Sequence, residues 1–275
     1  MSEGTARRRS GTVLFRAGAV LVGFAAIAAV IGPAIVPFDP ASQELSLRLA
    51  GPSRTHLFGL DELGRDILTR VLAGARISFL VGLTVVSVSA TLGTLLGALA
   101  GYFGGLTDDV ISRVVDVLLA FPGLLLAIAL VAVLGPSLGN VLFALTIIGW
   151  VGYARLVRGQ VLRAREFEYV QAARALGAGS GRVLWRHVIP TAMPAVVVQA
   201  TLGMAAAIIG EAALSFLGLG VQPPTPSWGT MLNGGRAHIL DAPHLTLFPG
   251  LAIALLVLGF NFLGDGLRDF TDPKA

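Results

Sequence analysis

Six long apolar runs alternate with polar segments along the 275-residue chain. They occupy residues 13–36, 77–100, 114–134, 138–155, 192–217 and 244–263. A membrane-spanning helix needs about 20 predominantly apolar residues, whereas the apolar core of a signal peptide has only about 7–15. The first run follows a basic start like that of a signal peptide, but it is too long for one and predicts an uncleaved helix. The pattern therefore predicts an all-α, polytopic membrane protein with six transmembrane helices.

Prolines and glycines predict where these helices bend or end. Pro33 and Pro37 place a bend or an end at the close of the first span, and Pro122 predicts a kink within the third. Residues 101–113 begin with a glycine-rich stretch and are predicted to form a tight turn. Residues 218–243 contain a proline-rich stretch and are predicted to form a rigid outer loop.

Arginines are distributed unevenly between the predicted loops. Seven lie between Arg155 and Arg186, where the only acids are Glu166 and Glu168. Such a bias marks the cytoplasmic face of a membrane protein. By contrast, residues 37–76 carry five arginines and five acids, a balance that suits the outer face. The predicted cytoplasmic segments are the tail 1–12, the loop 158–190 and the tail 265–275.

Two short helices are predicted within the loop formed by residues 158–190. A narrow, alanine-rich stripe recurs at i, i+3, i+4 and i+7 and predicts a helix over 168–176. The stripe consists of Tyr169, Ala172, Ala173 and Leu176. Gly177 is placed to end this helix in the left-handed conformation, and a second helix is predicted from Ser180 to Pro190. Small alanines suit docking into a groove on another protein, but the pattern alone leaves adhesion to lipid equally open.

The external segment 37–76 is predicted to end in an amphipathic helix that leads into the second span. Apolar residues at helical spacing carry this prediction. They are Leu63, Ile67, Leu68, Val71 and Leu72.

Composition and charge exclude several classes of protein. The chain is 55% hydrophobic and 13% charged, whereas soluble chains carry roughly 25% charged residues. The absence of cysteine excludes disulfide scaffolds, iron–sulfur clusters and cysteine-ligated zinc. The pI near 10.3 does not indicate nucleic-acid binding, because the arginines lie beside apolar runs and not on a basic face with interleaved aromatics. The lipid bilayer is the expected partner.

Catalytic and cofactor motifs are missing from the sequence. The only lysine, Lys274, is followed by Ala275, so the phosphate-binding loop GxxxxGK[ST] cannot occur. The four histidines lack metal-site spacing. His56 and His244, both predicted outside, could touch a metal complex, but isolated loop histidines are usually solvated, and we expect that here. No serine, histidine and aspartate set is recognisable. We therefore expect neither an enzyme nor a resident metal or cofactor.

Two carboxylates lie within predicted spans, Asp116 in the third and Glu211 in the fifth. Burial of a charged side chain in the bilayer centre costs about 2.5 kcal/mol or more, so such residues need a function or a local partner. Two acids without a buried basic partner make a weak proton relay. Glu211 has two interpretations, a carboxylate hydrogen-bonded between helices and a contact to solute.

The string QAARALG, followed by Ile189 and Pro190, resembles the EAA loop of bacterial ABC importer permeases. Gln171, His187 and Ile189 depart from the general pattern of that loop. The wider strings EYVQAARALG and RHVIP are similar to the dipeptide, oligopeptide and nickel branch of the superfamily. The resemblance implies that this loop couples the chain to ATPases. The implied coupling residues are Glu168, Tyr169, Gln171, Ala172, Ala173, Leu176, Gly177, Arg186, His187 and Pro190.

Two further strings resemble the same branch. HLFGLDELGRD precedes an Arg-x-Ser pair, with Leu60 at a position where the branch has threonine, and EAALSFLGLGVQPPTPSWG joins the fifth span to the outer loop. The first string could serve as a ligand contact or could cap turns and pair locally. Its signature residues are His56, Gly59, Asp61, Gly64, Arg65 and Asp66.

The resemblance implies the fold of a type I ABC importer permease, with a five-helix permease core over residues 77–264. It also implies partners, namely a second homologous permease, two cytoplasmic subunits that bind ATP and magnesium, and an extracytoplasmic solute-binding protein. The solute could be a dipeptide, an oligopeptide, a nickel chelate or a related molecule, and the location a bacterial cell membrane. Two other classes stay open, a channel or ion-coupled transporter that works alone with its basic loop on anionic lipid, and a membrane scaffold without transport.

Overall fold

The computed structural model describes residues 2–271, and within that range the protein is almost entirely helical. The only β-type pairing in these residues is one isolated antiparallel bridge between Leu60 and Asp66. The all-α prediction is confirmed. The α-helices are α1 (Ser2–Ile35), α2 (Ile67–Phe103), α3 (Gly105–Leu119), α4 (Gly123–Leu134), α5 (Leu138–Ala164), α6 (Glu168–Ala175), α7 (Ser180–Val183), α8 (Ile189–Phe216), α9 (Trp228–Gly235) and α10 (His244–Thr271).

In the part of the chain that the structure describes, five helical stretches are long and apolar enough to cross a membrane. They are Gly11–Gly32, Ile67–Phe103, Leu138–Ala164, Ser180–Phe216 and His244–Phe270. A sixth span results if α3 and α4 are taken together as one broken helix. Six spans therefore fit the fold, although the sixth differs from a plain helix.

The third span breaks where the sequence predicted only a kink. α3 and α4 meet at 86°, and Pro122 is the N-cap residue of α4. The prediction of a tight turn over residues 101–113 is wrong. α2 continues to Phe103, and α3 begins at Gly105, since Gly104 and Gly105 both adopt positive φ and complete the turn within two residues.

The second helix of the 158–190 loop does not end at Pro190. A π-helical segment, Leu184–Val188, joins α7 directly to α8. Pro190 is the second residue of α8, and the π-helical turn before it accommodates the proline within the helix. α7 and the fifth span therefore form one continuous helical stretch.

Other boundaries also extend beyond the apolar runs. α2 begins at Ile67, ten residues before the predicted span, with Asp66 as its N-cap. α9 lies within residues 218–243, where only a loop was predicted, and begins with a capping box between Ser227 and Thr230. Most of the predicted tails 1–12 and 265–275 continue α1 and α10, and residues 1 and 272–275 lie outside the described residues.

α2 is the central element of the bundle and packs most extensively against α5. Gly93, Gly97 and Gly101 recur every four residues on α2, and a β-carbon at any of them would collide with the backbone of α5. Small residues at this spacing let two membrane helices approach closely. These three glycines therefore let α2 and α5 pack closely.

The two ends of the bundle carry different groups of residues. α2 is about 55 Å long at a rise of 1.5 Å per residue, with residues 56–66 before its first turn and the 158–190 loop beside its last turn. We call the end of the bundle that carries residues 56–66 the signature end, and the end that carries the 158–190 loop the loop end. α1 runs antiparallel to α10, since Gly11 lies against Asp269 and Gly18 against Leu263. The C-terminal part of α10 lies at the loop end, where Arg268 lines one cavity together with Phe167.

Candidate functional site

The 158–190 loop folds into two short helices joined by a glycine. Gly177 has φ of +80°, in the left-handed region predicted for it. Its N–H donates to the carbonyl of Arg174 at 2.9 Å, and the N–H of Ala178 donates to the carbonyl of Ala173 at 3.0 Å. These two bonds form a Schellman motif, which satisfies the last carbonyls of α6 and fixes the direction of the following chain.

α6 has a buried face and an exposed face, and they divide the predicted stripe. Val170 is fully buried and Ala173 packs partly against the same interior cluster. Tyr169 and Ala172 are exposed, and Leu176 is 89% exposed. Leu176 therefore buries little of its side chain within this chain, and the exposed part of the stripe is available to a partner.

The buried faces of the loop helices share one hydrophobic cluster with three spans. Val170 of α6 and Val183 of α7 pack with residues of α2, α5 and α8. The buried members of this cluster are Ala98, Tyr102, Tyr153, Val157, Val161, Ala164, Val170, Val183, Leu184, Val188, Ile189, Ala192 and Val196. Interiors packed in this way transmit displacement, because they resist local compression. A force applied to α6 would therefore reach α5 and α8.

Arginines fasten the loop to the last turn of α2. Arg165 donates from Nη1 to the carbonyl oxygen of Gly101 at 3.0 Å. The guanidinium of Arg174 lies 5.0 Å from the ring centroid of Tyr102, within the range of a cation–π contact. Cations are favourable at a helix C-terminus because the backbone dipoles leave it partly negative. Arg165 and Arg174 thus have structural contacts besides their effect on membrane orientation.

The remaining predicted coupling residues lie around the same helices. The Tyr169 hydroxyl donates to the carbonyl of His187 at 3.4 Å, which links α6 to the π-helical segment. Gln171 donates from its side-chain amide to the carbonyl of Glu166 at 3.3 Å. Glu168 is in the first turn of α6, where a negative charge stabilises the helix. Arg186 and Pro190 are exposed on the segment leading into α8.

Two residues of this loop were missed by the sequence interpretation. Val170 is the central buried side chain of α6, although it lies one position away from the predicted stripe. Trp185 is 60% exposed and lies in the π-helical segment. A tryptophan in an otherwise polar loop is the sequence signal that could have marked Trp185 as an interface candidate, since tryptophan is enriched at the energetic centres of interfaces.

The carboxylates and arginines of the signature end form a compact network within the chain. Asp61 accepts hydrogen bonds from the backbone N–H groups of Leu63 and Arg65 and from Arg65 Nε at 2.7 Å. The buried guanidinium of Arg70 donates to the carbonyl of Pro40 at 3.0 Å. These contacts correspond to the local interpretation of the signature, in which its charged residues cap turns and pair with one another.

Asp66 and two glycines complete the signature end. Asp66 caps α2 by accepting from Thr69, and its other oxygen lies 2.9 Å from Nδ1 of His56. Gly59 has φ of +78°, and a β-carbon there would lie 2.6 Å from the carbonyl oxygen of Ala50. Gly64 has φ of +71° and lies against the backbone of Glu44. Only glycine fits both positions, so these residues fix the fold of the signature end.

Of the two acids predicted within spans, one is buried and one is exposed. Glu211 is fully buried in α8 and accepts a 2.6 Å hydrogen bond from the Ser215 hydroxyl, which in turn accepts the N–H of Val221. Asp116 is exposed on α3 and pairs with Arg155 at 3.6 Å. The bond from Ser215 lies within α8 and does not join two helices, and among the described residues the other carboxylate oxygen of Glu211, Oε2, is buried without a hydrogen-bond partner. Both interpretations of Glu211 therefore stay predictions. Residues 11–32 and 34–270 contain no group of three or more metal-ligating side chains.

Residues 93–275 match the family of the binding-protein-dependent transport system inner membrane component. The chain is 48% identical over 257 residues to a dipeptide transport system permease protein of Alkalihalophilus pseudofirmus, an alignment that covers 94% of this chain and 84% of the relative. It is 50% identical over 241 residues to a glutathione transport system permease protein of Pectobacterium atrosepticum, covering 87% and 80%. It is 43% identical over 265 residues to a probable D,D-dipeptide transport system permease protein of Escherichia coli, covering 96% and 89%.

The fold also resembles a solved structure. A chain of the MetNI methionine ABC transporter, in an inward-facing conformation, aligns with a TM-score of 0.56 at 19% identity, covering 74% of this chain and 94% of that chain. At this level of identity the likeness concerns the fold alone. It is the fold expected from the resemblance in the loop sequence.

Proposed function

Because this chain belongs to the family of binding-protein-dependent transport system inner membrane components, we propose that it pairs with a second homologous permease to form the membrane path of an importer for dipeptides, oligopeptides or related solutes. The chain is a permease subunit of an ABC importer and not an enzyme, and ATP hydrolysis lies on separate subunits. The proposed assembly also contains two cytoplasmic ATP-binding subunits and an extracytoplasmic solute-binding protein. ATP and magnesium are held by those ATPases, with no cofactor on this chain.

The single observation that carries the coupling proposal is the two-sided structure of α6. Its exposed side presents Tyr169, Ala172 and Leu176, and its buried side shares a core with α2, α5 and α8. When ATP closes the ATPase dimer, the grooves that hold α6 of the two permeases move. The shared core passes this motion to the membrane helices, which rock between outward and inward access.

Orientation follows from the arginines together with the packing. The seven arginines between Arg155 and Arg186 favour a cytoplasmic loop end. Gly11 and Asp269, near the two termini, lie against each other, and Arg268 lies in a cavity of the loop end. Both termini are therefore cytoplasmic in the proposed arrangement, and the signature end faces outward. The proposed location is the cytoplasmic membrane of a bacterium.

The class of solute is proposed from the relatives. All three relatives described above are named for transport of small peptides, including glutathione and D,D-dipeptides. A nickel chelate remains the alternative within the family resemblance. Small peptides share a carboxylate and at least one amide, so these groups define the proposed solute.

Competition for uptake tests the class of solute. The complete transporter, including its own solute-binding protein, is reconstituted in vesicles with ATP and supplied with a labelled dipeptide. We expect an excess of unlabelled dipeptide or glutathione to suppress uptake, and a nickel chelate to leave it unchanged. Suppression by the nickel chelate alone would contradict the peptide proposal.

A further inference from the structure

Two cavities run along α5 and α8 and meet at one residue. The first, which we call the apolar cavity, has a volume of about 490 Å³ and lies between α2, α4, α5 and α8. The second, which we call the cationic cavity, has a volume of about 590 Å³ and lies at the loop end between α5, α8 and α10. Among the described residues that line them, Gln199 is the one that borders both. Together they form a groove along most of the length of α8.

α5 contacts α8 at the residue that the two cavities share. The Tyr153 hydroxyl donates to the backbone carbonyl of Gln199 at 3.4 Å, and Tyr153 is almost completely buried. Gly203, one turn further along α8, leaves room for that hydroxyl. A β-carbon at Gly203 would lie 2.5 Å from the Tyr153 hydroxyl oxygen. The tyrosine therefore occupies a space that only glycine can provide.

The two cavities differ in chemistry. Small and aliphatic residues dominate the apolar cavity, and its polar side chains are Ser89, Tyr153 and Gln199. The cationic cavity contains Arg163 and Arg268 and, among its described lining, no acid. Arg163 has no ion-pair partner among the side chains that the structure describes, those of residues 11–32 and 34–270. A solute with a carboxylate would be attracted toward the loop end.

We propose that the groove along α5 and α8 is this chain's wall of the solute path, and that Tyr153 and Gln199 form a gate in it. The inference rests on the proposed function and names the residues that would contact the solute. Polar side chains at membrane depth that face a cavity mark transport paths. The Gln199 amide can both donate to and accept from a peptide group, and the arginines of the cationic cavity favour the solute carboxylate.

Thiol labelling tests the gate directly in the assembled transporter, because the chain contains no cysteine. Leu156→Cys places a thiol in the cationic cavity and Ala206→Cys places one in the apolar cavity. A small impermeant reagent is supplied from the loop side of the membrane without ATP. With Tyr153 replaced by alanine, labelling of Ala206→Cys should rise by about tenfold, an effect in the range of directly coupled neighbours, while labelling of Leu156→Cys should not change.

Two results would overturn this assignment. If Ala206→Cys is labelled at the same rate whether residue 153 is tyrosine or alanine, the contact between Tyr153 and Gln199 does not block access to the apolar cavity. Labelling of Ala206→Cys by lipid-soluble reagents alone would show that the apolar cavity holds lipid and not solute.

Uptake of a labelled dipeptide provides an independent test. Gly203→Ala should displace the Tyr153 hydroxyl and lower ATP-driven uptake by about tenfold, and adding Tyr153→Phe should restore most of it, since the clashing atom is then gone. Gly23→Ala on α1 is the control, because Gly23 borders neither cavity and a β-carbon there meets nothing within 4 Å. Normal uptake by Gly203→Ala, or no rescue in a double variant that assembles fully, would remove the gate from the mechanism. The peptide proposal would still stand if the unmodified transporter imports dipeptide.

Discussion

At the scale of single residues, Gly177 determines how the loop reaches its partner. Its φ of +80° and the two hydrogen bonds around it turn the chain from α6 into α7. A β-carbon at Gly177 would meet nothing within 4 Å, so the requirement for glycine comes from the backbone and not from packing. The left-handed conformation is disfavoured by about 1–2 kcal/mol for a residue with a β-carbon.

Substitution of Gly177 should therefore impair coupling without preventing membrane insertion. We expect Gly177→Leu to abolish uptake and Gly177→Asn to be milder, since asparagine tolerates the left-handed region. Gly181→Leu is the matched control, because Gly181 is exposed in the same loop and has no positive φ. Uptake and the amount of protein in the membrane are measured together. Near-normal uptake by stably inserted Gly177→Leu would remove this turn from the mechanism.

Asp66 separates the two interpretations of the signature end. It caps α2, and loss of an N-cap costs about 0.5–2 kcal/mol of stability. We expect Asp66→Ala to lower the thermal unfolding temperature of the purified assembly, and Asp66→Asn to retain most of the cap. A change in solute preference with unaltered stability would instead indicate direct ligand contact.

Sequence predicted the residues whose constraint is local and missed those whose role depends on packing. Gly177 could be found because a glycine after an apolar stripe indicates a helix end. Val170 and Arg174 could not, because the first is identified by burial against α5 and α8 and the second by a ring on α2. The Tyr153 and Gln199 contact joins residues 46 positions apart, which no local pattern reveals.

At the scale of elements, the two faces of α6 predict opposite effects of added volume. Ala172 is exposed, whereas Ala173 packs partly against the chain's own core. Ala172→Trp should release the ATPase while the permease stays folded, since a docked face cannot accept a large side chain without strain of about 1–3 kcal/mol. Ala173→Trp should instead destabilise the permease itself.

Co-purification of the ATPase and thermal stability of the permease distinguish these outcomes. Ala172→Ser is the control for the exposed face, and we expect it to retain the ATPase. If α6 rested on lipid, tryptophan would be tolerated at residue 172, because it favours the membrane interface. Full ATPase retention by Ala172→Trp would thus refute docking through this face.

Helical periodicity predicted which segments are helical but not where the helices join or break. The apolar run 114–134 predicts one span, yet the chain breaks before Pro122, and the axes of α3 and α4 differ in direction by 86°. Pro190 suggested a helix end but is the second residue of α8, because the π-helical turn before it accommodates a proline inside a continuous helix. α9 was missed because it has only eight residues and directly follows a proline-rich stretch, although Trp228, Met231 and Leu232 recur at helical spacing.

At the scale of the whole molecule, the proposed orientation assigns each end of the bundle to one side of the membrane. Ser46 is exposed in the segment before residues 56–66, and Ser180 is the first residue of α7. Each is replaced by cysteine in a separate variant. An impermeant thiol reagent added to intact cells should label the first and not the second. Strong labelling at residue 180 before the cells are opened would reverse the orientation.

The central claim is that separate ATPases drive this permease through its loop. The most direct measurement is uptake of labelled dipeptide into vesicles that contain both permeases and the solute-binding protein, with and without the ATPase subunits. We predict ATP-dependent uptake only when the ATPases are present. Equal uptake without them, or uptake driven by an ion gradient in the absence of ATP, would contradict the account and favour a transporter or channel that works alone.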